Sequence, residues 1–507
     1  MTRSWKDLNQ EAIDLIQAGK PREALTPALA AVEAVRQSGG KVSNLALTLN
    51  NLGEVYHALG DFREAESVMG EAVSAYEKAV GPDHPETAEA LTSLAELYLD
   101  QKNFDAAEPL LQRALKIREK MQSKEDPDLA AVLGILAEVH MGQGRFDTAQ
   151  SVLERAVGIV EKAAGTVHPA LAPLLTRLAQ IRQNRQDLQG AEPLLRRVVK
   201  IYEKSIGPGH PEFGKALARL AEIYLSMGHF QAAEPFLDQA RSIIEESQGK
   251  NHPDIAEILE KQSMLYLATN RPEKVEPLMK QVIDIYKEAL GGEHPATAEA
   301  ENTLGEYYLN LGRHDDAKPM LEASLTTREK SLGPDHPAVA QSLNNLAVLH
   351  GNKGDFDAAE PLHRRALEIR RRHFGEKHLA VTQSLENLGA LLRIKGQIEE
   401  AEALLEEALG IWKISMGENH PSTAQAHFNL GTLLASIGKF KEAEAALHTS
   451  RKILEASLGP NSQHLATVYE ALAKIYEKLE QKPEATAYTA KAMKIRNPEK
   501  MQNPRNN

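Results

Sequence analysis

The histidines of seven His-Pro dipeptides are the residues of this sequence that most suggest a metal-binding site. Their spacing is always 42 residues or twice 42, at His84, His168, His210, His252, His294, His336 and His420. A zinc ion needs all its ligands about 2 Å away. If each interval holds a pair of helices packed about 8–10 Å apart, successive histidines cannot share an ion. We therefore predict no metal site, and a helix-capping role for each histidine before a helix-starting proline.

Other motifs that would support catalysis are missing from the sequence. There is no cysteine, which excludes disulfides, thiolate metal ligands and a cysteine nucleophile. The segment 39–43, Gly-Gly-Lys-Val-Ser, lacks the upstream glycine and the Lys-Ser/Thr pair of a phosphate-binding loop. Neither His-Glu-x-x-His nor Gly-x-Ser-x-Gly occurs. The carboxylates repeat along the chain and do not converge on one place, so we expect no catalytic residues, no cofactor and no enzymatic activity.

A 42-residue period organises nearly the whole chain. Besides His-Pro, a Leu-Gly or Leu-Ala pair recurs in phase, from Leu52-Gly53 to Leu472-Ala473. Eleven units share this period over residues 43–496, and residues 1–42 form a looser N-terminal unit. Such periods are typical of repeat arrays, which grow without a single enlarging core. We therefore expect one continuous array over 43–496, followed by a disordered tail at 497–507.

One unit, residues 336–377, shows why each repeat is predicted to be a helix, a turn and a second helix. Leu343, Leu346, Ala347 and His350 follow the spacing of one buried helical stripe. Gly354 is placed to end that helix in a left-handed turn. The second helix is expected to begin after Asp355 and to end at Gly375. The fold class predicted is therefore all-α, with about twelve helix pairs.

The repeat resembles the tetratricopeptide repeat. The small-residue signature of that family appears as Gly53, Tyr56, Ala65 and Ala72. The 42-residue form looks like the kinesin light chain subtype, through residues 332–337 (Leu-Gly-Pro-Asp-His-Pro) and 343–347 (Leu-Asn-Asn-Leu-Ala). The resemblance implies a right-handed superhelical solenoid. Because no N-terminal heptad coiled coil is seen, the chain looks more like the stand-alone arrays of this subtype in bacteria, and we do not expect a motor-cargo function.

The inner, concave face of such an array is the predicted binding surface. In this family the first helix of each pair lines that face, and helical spacing turns Gln341, Asn344 and Asn345 away from the buried stripe. Asparagine can donate to and accept from an extended peptide backbone. The predicted groove is Gln341, Asn344, Asn345, Gln383, Asn387, Arg393, Gln425 and Asn429. The alternative is that these amides join neighbouring helices and belong to the scaffold.

A row of glutamates marks the same face nearer the N-terminus. It comprises Glu54, Glu96, Glu138, Glu222 and Glu306. At the neighbouring position, which we call the Asn345 register, the chain carries Ser93, Ile135, Arg177 and Lys261 among others. The row could steer a basic segment towards the concave face. The alternative is an ordinary solvated row of charges.

Composition limits the partners. With 59 Lys plus Arg and 71 Asp plus Glu, the net charge is −12, which disfavours nucleic acid. No apolar run approaches the 18 residues or more of a membrane span, and the polar N-terminus lacks a signal-peptide core. We expect a cytoplasmic protein, with the periplasm left open.

The function predicted from these observations is a non-catalytic scaffold that binds an extended peptide or a partner helix. Two alternatives are a self-associating rod and a sensor or adaptor subunit of a signalling complex. Self-association would suit an apolar end helix, and the last helix carries Tyr488, Ala492, Met493 and Ile495.

Overall fold

A computed structural model describes residues 3–121, 126 and 128–496, so the expected tail at 497–507 lies outside the described residues. Over the described ranges the chain forms 24 α-helices in twelve pairs, which confirms the predicted all-α class and the number of pairs. The chain divides into two compact units, residues 1–271 and 272–507. One continuous array over 43–496 stays a prediction.

The first unit contains thirteen of the described helices. They are α1 (Trp5–Gln17), α2 (Pro21–Gln37), α3 (Val42–Leu59), α4 (Phe62–Ala79), α5 (Pro85–Asp100), α6 (Phe104–Met121), α7 (Asp128–Gly142), α8 (Phe146–Ala164), α9 (Leu171–Asn184), α10 (Leu188–Ser205), α11 (Pro211–Ser226), α12 (Phe230–Gln248) and α13 (Pro253–Ala268).

The second unit begins with a short 3₁₀ turn at Pro272–Lys274. Its described helices are α14 (Val275–Ala289), α15 (Pro295–Asn310), α16 (His314–Leu332), α17 (Pro337–Asn352), α18 (Phe356–Phe374), α19 (Leu379–Lys395), α20 (Ile398–Met416), α21 (Pro421–Ser436), α22 (Phe440–Leu458), α23 (Gln463–Lys478) and α24 (Lys482–Arg496).

The His-Pro pairs start first helices in the way the sequence predicts. His336 Nδ1 accepts the backbone N–H of Ala338 at 3.2 Å, and Pro337 is the first residue of α17. The same contact recurs at His84, His210, His252, His294 and His420. Each imidazole therefore satisfies one of the free N–H groups at a helix N-terminus.

Small residues allow the two helices of a pair to pack closely. Ala347, Ala359 and Ala366 are fully buried between α17 and α18. Between α15 and α16 the contact is closer still, because a Cβ placed on Gly305 would lie 2.7 Å from Leu321 Cγ. Gly354, with φ of +80°, makes the left-handed turn between α17 and α18.

The last helix is less apolar on its outside than the sequence suggests. Ala492 and Ile495 are buried, and the ring of Tyr488 stacks on Tyr476 with centroids 5.5 Å apart. Of the four apolar residues singled out above, Met493 is the exposed one. None of the described helices is both long enough and apolar enough to cross a membrane.

The close contact at Gly305 can be tested by comparison with a glycine that has open space around it. Gly305→Ala should destabilise the chain by about 1–3 kcal/mol, because the methyl group must displace Leu321. Gly410→Ala is the control, since a Cβ at this position of α20 meets no described atom within 4 Å. It should stabilise the chain by up to about 1 kcal/mol. Urea unfolding measures both, and equal effects would contradict the packing described.

Candidate peptide-binding groove

First helices line one face within each unit. Besides the contacts between successive helices, α3 meets α5, α5 meets α7 and α11 meets α13; in the second unit α15 meets α17, α19 meets α21 and α21 meets α23. These closest approaches between alternate helices all join first helices. Side chains of the first helices that point away from their own pair therefore share a common surface in each unit.

Several predicted groove residues line one cavity of about 460 Å³ in the second unit. Gln341, Asn344 and Asn345 of α17 and Gln383 of α19 all contribute to its wall. Glu306 of α15, a member of the glutamate row, lies at the same cavity. The structure thus brings together four of the eight predicted groove residues and adds one carboxylate.

Asn344 is inside the structure and not on the accessible face, contrary to the expectation from helical spacing. It is 4% exposed, and its Oδ1 accepts hydrogen bonds from His363 Nδ1 at 3.0 Å and from Asn387 Nδ2 at 2.9 Å. The physical reason is that His363 of α18 and Asn387 of α19 both contact this side chain. Burial and the neighbouring Arg370 lower the pKa of His363 to about 4, so the imidazole is neutral at pH 7.

The asparagine row also joins successive repeats. Asn345 Nδ2 donates to Asn302 Oδ1 at 3.2 Å, just as Asn387 donates to Asn344. Asn51 makes a similar bond to Asn9 in the first unit at 3.0 Å. These hydrogen bonds are the ones that the scaffold alternative predicts, and they leave each such asparagine only its remaining donor and acceptor capacity for a partner.

Arg370 is a wall residue of the 460 Å³ cavity that the sequence did not single out. It is 8% exposed, and its Nη1 donates to Ser384 Oγ at 2.8 Å. Within the described part of the chain it has no ion pair, and burial lowers the pKa of its guanidinium. Glu306, on the same cavity, is not paired with it.

One repeat earlier the equivalent arginine is neutralised. Arg328 is 1% exposed, donates to Ser342 Oγ at 2.8 Å as Arg370 does to Ser384, and forms an ion pair with Glu299 of α15. Position 341 is the equivalent of 299 in the next repeat, and there the carboxylate is replaced by the neutral amide of Gln341. Comparing these two repeats in the sequence would have shown that Arg370 lacks the carboxylate that Arg328 has.

The next repeat towards the C-terminus has a different character. Trp412 occupies the position equivalent to Arg370, and Glu386 the position equivalent to Asn344. Burial raises the pKa of Glu386 to about 7, although Trp412 and Asn429 face the carboxyl group and offset part of the rise. Glu386 Oε1 and Trp412 Nε1 are both buried without a hydrogen-bond partner among the described residues.

Of the remaining predicted residues, Asn387 bonds Asn344 on the wall of the first cavity, whereas Arg393, Gln425 and Asn429 do not line that cavity. Gln425 Nε2 donates to Asn429 Oδ1 at 3.0 Å along one face of α21. Arg393 lines a second cavity of about 760 Å³ with Phe428, Thr432 and Lys474. The structure therefore does not bring all eight predicted residues to one cavity, and their common role stays a prediction.

The glutamates of the row differ in whether they form an ion pair. Glu138 and Glu222 pair with cations of the following repeat, Arg177 and Lys261. Burial and neighbouring carboxylates raise the pKa values of Glu54 and Glu96.

No group of three or more His, Asp or Glu side chains in the described residues could hold a metal ion.

Comparison with protein families identifies the repeat. The tetratricopeptide repeat model matches the chain at 8–78, 44–120, 128–204, 170–246, 212–288, 276–330, 296–372, 378–456 and 436–497. No curated protein matches the sequence.

Solved structures with similar folds include kinesin light chain-like proteins. One is a putative kinesin light chain of nearly identical repeats from Podospora anserina, with 28% identity and a TM-score of 0.36, covering 41% of this chain and 98% of that one. BtubC from P. vanneervenii has 26% identity and a TM-score of 0.39, covering 47% and 93%. Apo RapI has 17% identity and a TM-score of 0.45, covering 56% and 98%.

The buried carboxyl group of Glu386 predicts a pH dependence of stability. Because its pKa is about 7 in the folded chain and near 4.5 when exposed, the folded state holds the proton more tightly. Stability should therefore fall as pH rises from about 4.5 to about 7. His363, whose pKa is lowered to about 4, acts in the opposite direction, so only a comparison with a Glu386 variant isolates this carboxyl group.

Glu386→Gln should remove this loss of stability at higher pH. The free energy of unfolding of the variant minus that of the parent should therefore rise by about 2–3 kcal/mol between pH 5 and pH 8. Urea unfolding followed by the fluorescence of Trp412 measures the change locally, with the other tryptophan, Trp5, replaced by Phe in both proteins. A relative stability that does not change with pH would show that Glu386 titrates normally.

Proposed function

Because the chain belongs to the tetratricopeptide repeat family, we propose that it is a non-catalytic protein-interaction scaffold. Repeats of this family typically serve protein binding. In the second unit the proposed ligand is an extended peptide or a partner helix that reaches the cavity between α17 and α19. The proposal involves no cofactor, nucleic acid or membrane insertion.

The observation that carries the proposal is the buried, unpaired guanidinium of Arg370 on that cavity. A charge removed from water is costly unless a counter-charge or several hydrogen bonds compensate it. Arg370 has one hydrogen bond, to Ser384 Oγ, and lines a cavity of about 460 Å³. An anionic group from a partner could enter there and supply the missing charge.

Arg328 indicates which anionic group fits. Its ion pair with Glu299 places a carboxylate against a guanidinium in the same repeat position. A glutamate or aspartate of the partner would take the place that Glu299 takes one repeat earlier. A doubly charged phosphate fits less well, because strong phosphate sites combine several cationic groups, and the other polar walls of this cavity are amides and the carboxylate of Glu306.

The amides of Gln341 and Gln383 complete the proposed groove. Both side chains lie on the cavity wall, and Gln383 is exposed to solvent. An amide can donate to a peptide carbonyl and accept from a peptide N–H at the same time. They are therefore better candidates for peptide contacts than Asn345 and Asn387, whose amides already bond the preceding repeat.

Selection of random linear peptides displayed on phage tests the proposal. Peptides enriched on the parent protein should carry Asp or Glu, and Arg370→Met should lower their affinity by about tenfold or more. Arg372→Met is the matched control, because Arg372 is an exposed arginine of the same helix that pairs with Glu368. It should leave affinity unchanged.

Stability separates a binding role of Arg370 from a structural one. Methionine needs no counter-charge, so Arg370→Met should leave the free energy of unfolding unchanged or raise it. A large loss of stability would assign Arg370 to the scaffold. Enrichment that does not depend on Arg370, or no enrichment at all, would contradict the proposed function.

A further inference from the structure

The glutamate row of the first unit follows a pairing rule between repeats. Arg177 Nε donates to Glu138 Oε1 at 2.6 Å, across 39 residues of sequence. Lys261 Nζ lies 3.1 Å from Glu222 Oε2, across the same interval. In both repeats, a cation in the Asn345 register neutralises the carboxylate of the preceding repeat.

The first two glutamates of the row lack that cation. The residue 39 positions after Glu54 is Ser93, and the residue 39 positions after Glu96 is Ile135. Both stand where Arg177 stands relative to Glu138. Neither Glu54 nor Glu96 forms an ion pair with any described residue. His57, whose imidazole faces both carboxylates, has its Nε2 in contact with Asp100 Oδ2 at 2.7 Å.

The neighbourhood of Ser93 is strongly negative. Glu89 lies one helical turn before Ser93 on α5, and Glu54 approaches from α3. The pKa of Glu54 is raised by burial first, then by the charges of Glu96 and Glu89. The side chains of Glu54, Glu89 and Glu96 are nevertheless accessible to solvent. A ligand can therefore reach all three carboxylates from solvent.

A buried side chain with an unsatisfied acceptor contacts Glu54. Asn50 is 8% exposed, and its Nδ2 donates to Glu54 Oε1 at 3.2 Å. Its Oδ1 has no hydrogen-bond partner among the described residues. The side chain of Asn50 thus holds one carboxylate oxygen in position and leaves an amide oxygen beside it without a donor, a deficit that a multiply donating cation would fill.

We propose that Glu54, Glu89, Glu96 and Asn50 form a subsite between α3 and α5 for one cationic side chain, the guanidinium of arginine or the ammonium of lysine, from a protein partner. The cation would take the place beside Ser93 that Arg177 takes in a later repeat. The subsite extends the proposed scaffold function and rests on it. Arginine fits best, because its several N–H groups can reach more than one carboxylate.

A titration with N-acetyl-arginine methylamide tests the subsite without any selected peptide. Nuclear magnetic resonance of ¹³C-labelled glutamate carboxyl groups reports the response, with Glu54→Gln and Glu96→Gln used for assignment. The resonances of Glu54 and Glu96 should shift saturably, and the pKa of Glu54 should fall into the ordinary carboxyl range. The citrulline analogue, which has a similar shape without the charge, should cause no such shift, and the lysine analogue should act more weakly.

Ser93→Arg fills the proposed subsite from within the chain. The pKa of Glu54 should then be lowered without any probe, and the affinity for the arginine probe should fall by about tenfold or more. Ser93→Lys is a second variant with a smaller head group. The subsite is refuted if Glu54 and Glu96 do not respond to the arginine probe, or if they respond equally to the citrulline analogue.

This experiment and the peptide selection on Arg370 fail independently. The titration involves residues of the first unit only, whereas Arg370 lies in the second. A negative titration with an Arg370-dependent selection would remove the cationic subsite and leave the scaffold function. A positive titration with no peptide selected would remove the proposed ligand at Arg370 and keep a cation-binding surface on the first unit.

Discussion

A charge that this fold removes from water is costly unless a counter-charge or hydrogen bonds compensate it, and both proposed sites are argued from that cost. The repeat places equivalent side chains at equivalent positions, so each charged residue can be compared with its counterparts in other repeats. Arg328 has Glu299, and Glu138 has Arg177. Arg370 is the equivalent of Arg328, and Glu54 is the equivalent of Glu138, but neither has a residue of opposite charge as its partner among the described residues. Where a repeat keeps a charge and loses its counterpart, the cost of desolvation remains and a ligand can reduce it.

The sequence was sufficient for the secondary structure because the determinants are local. Histidine caps, prolines at helix starts and left-handed glycines each act within a few residues, and the structure confirms them. The period of 42 residues also gave the number of helix pairs. Local rules were enough because each helix pair has contacts mainly with its neighbours.

Side-chain partners were harder to predict because they depend on the adjacent repeat. Helical spacing placed Asn344 on the open face, yet it is buried and bonded to His363 of α18 and Asn387 of α19. Arg370 was missed because its importance depends on a residue 29 positions earlier. That residue is Gln341, whereas the residue 29 positions before Arg328 is Glu299. A row-by-row comparison of charges would have found it, since the fixed period makes positions in successive repeats directly comparable. The unpaired oxygen of Asn50 has no such signal, because hydrogen bonding is decided by packing.

The most direct test of this account restores the missing carboxylate. Gln341→Glu should pair with Arg370 as Glu299 pairs with Arg328. A double-mutant cycle of Gln341→Glu and Arg370→Met, with free energies of unfolding from urea denaturation, isolates that interaction. A favourable coupling of about 1 kcal/mol or more is predicted, because the guanidinium is buried even though the carboxylate would be half exposed. A coupling of zero would contradict the claim that Arg370 lacks a counter-charge that this position can provide.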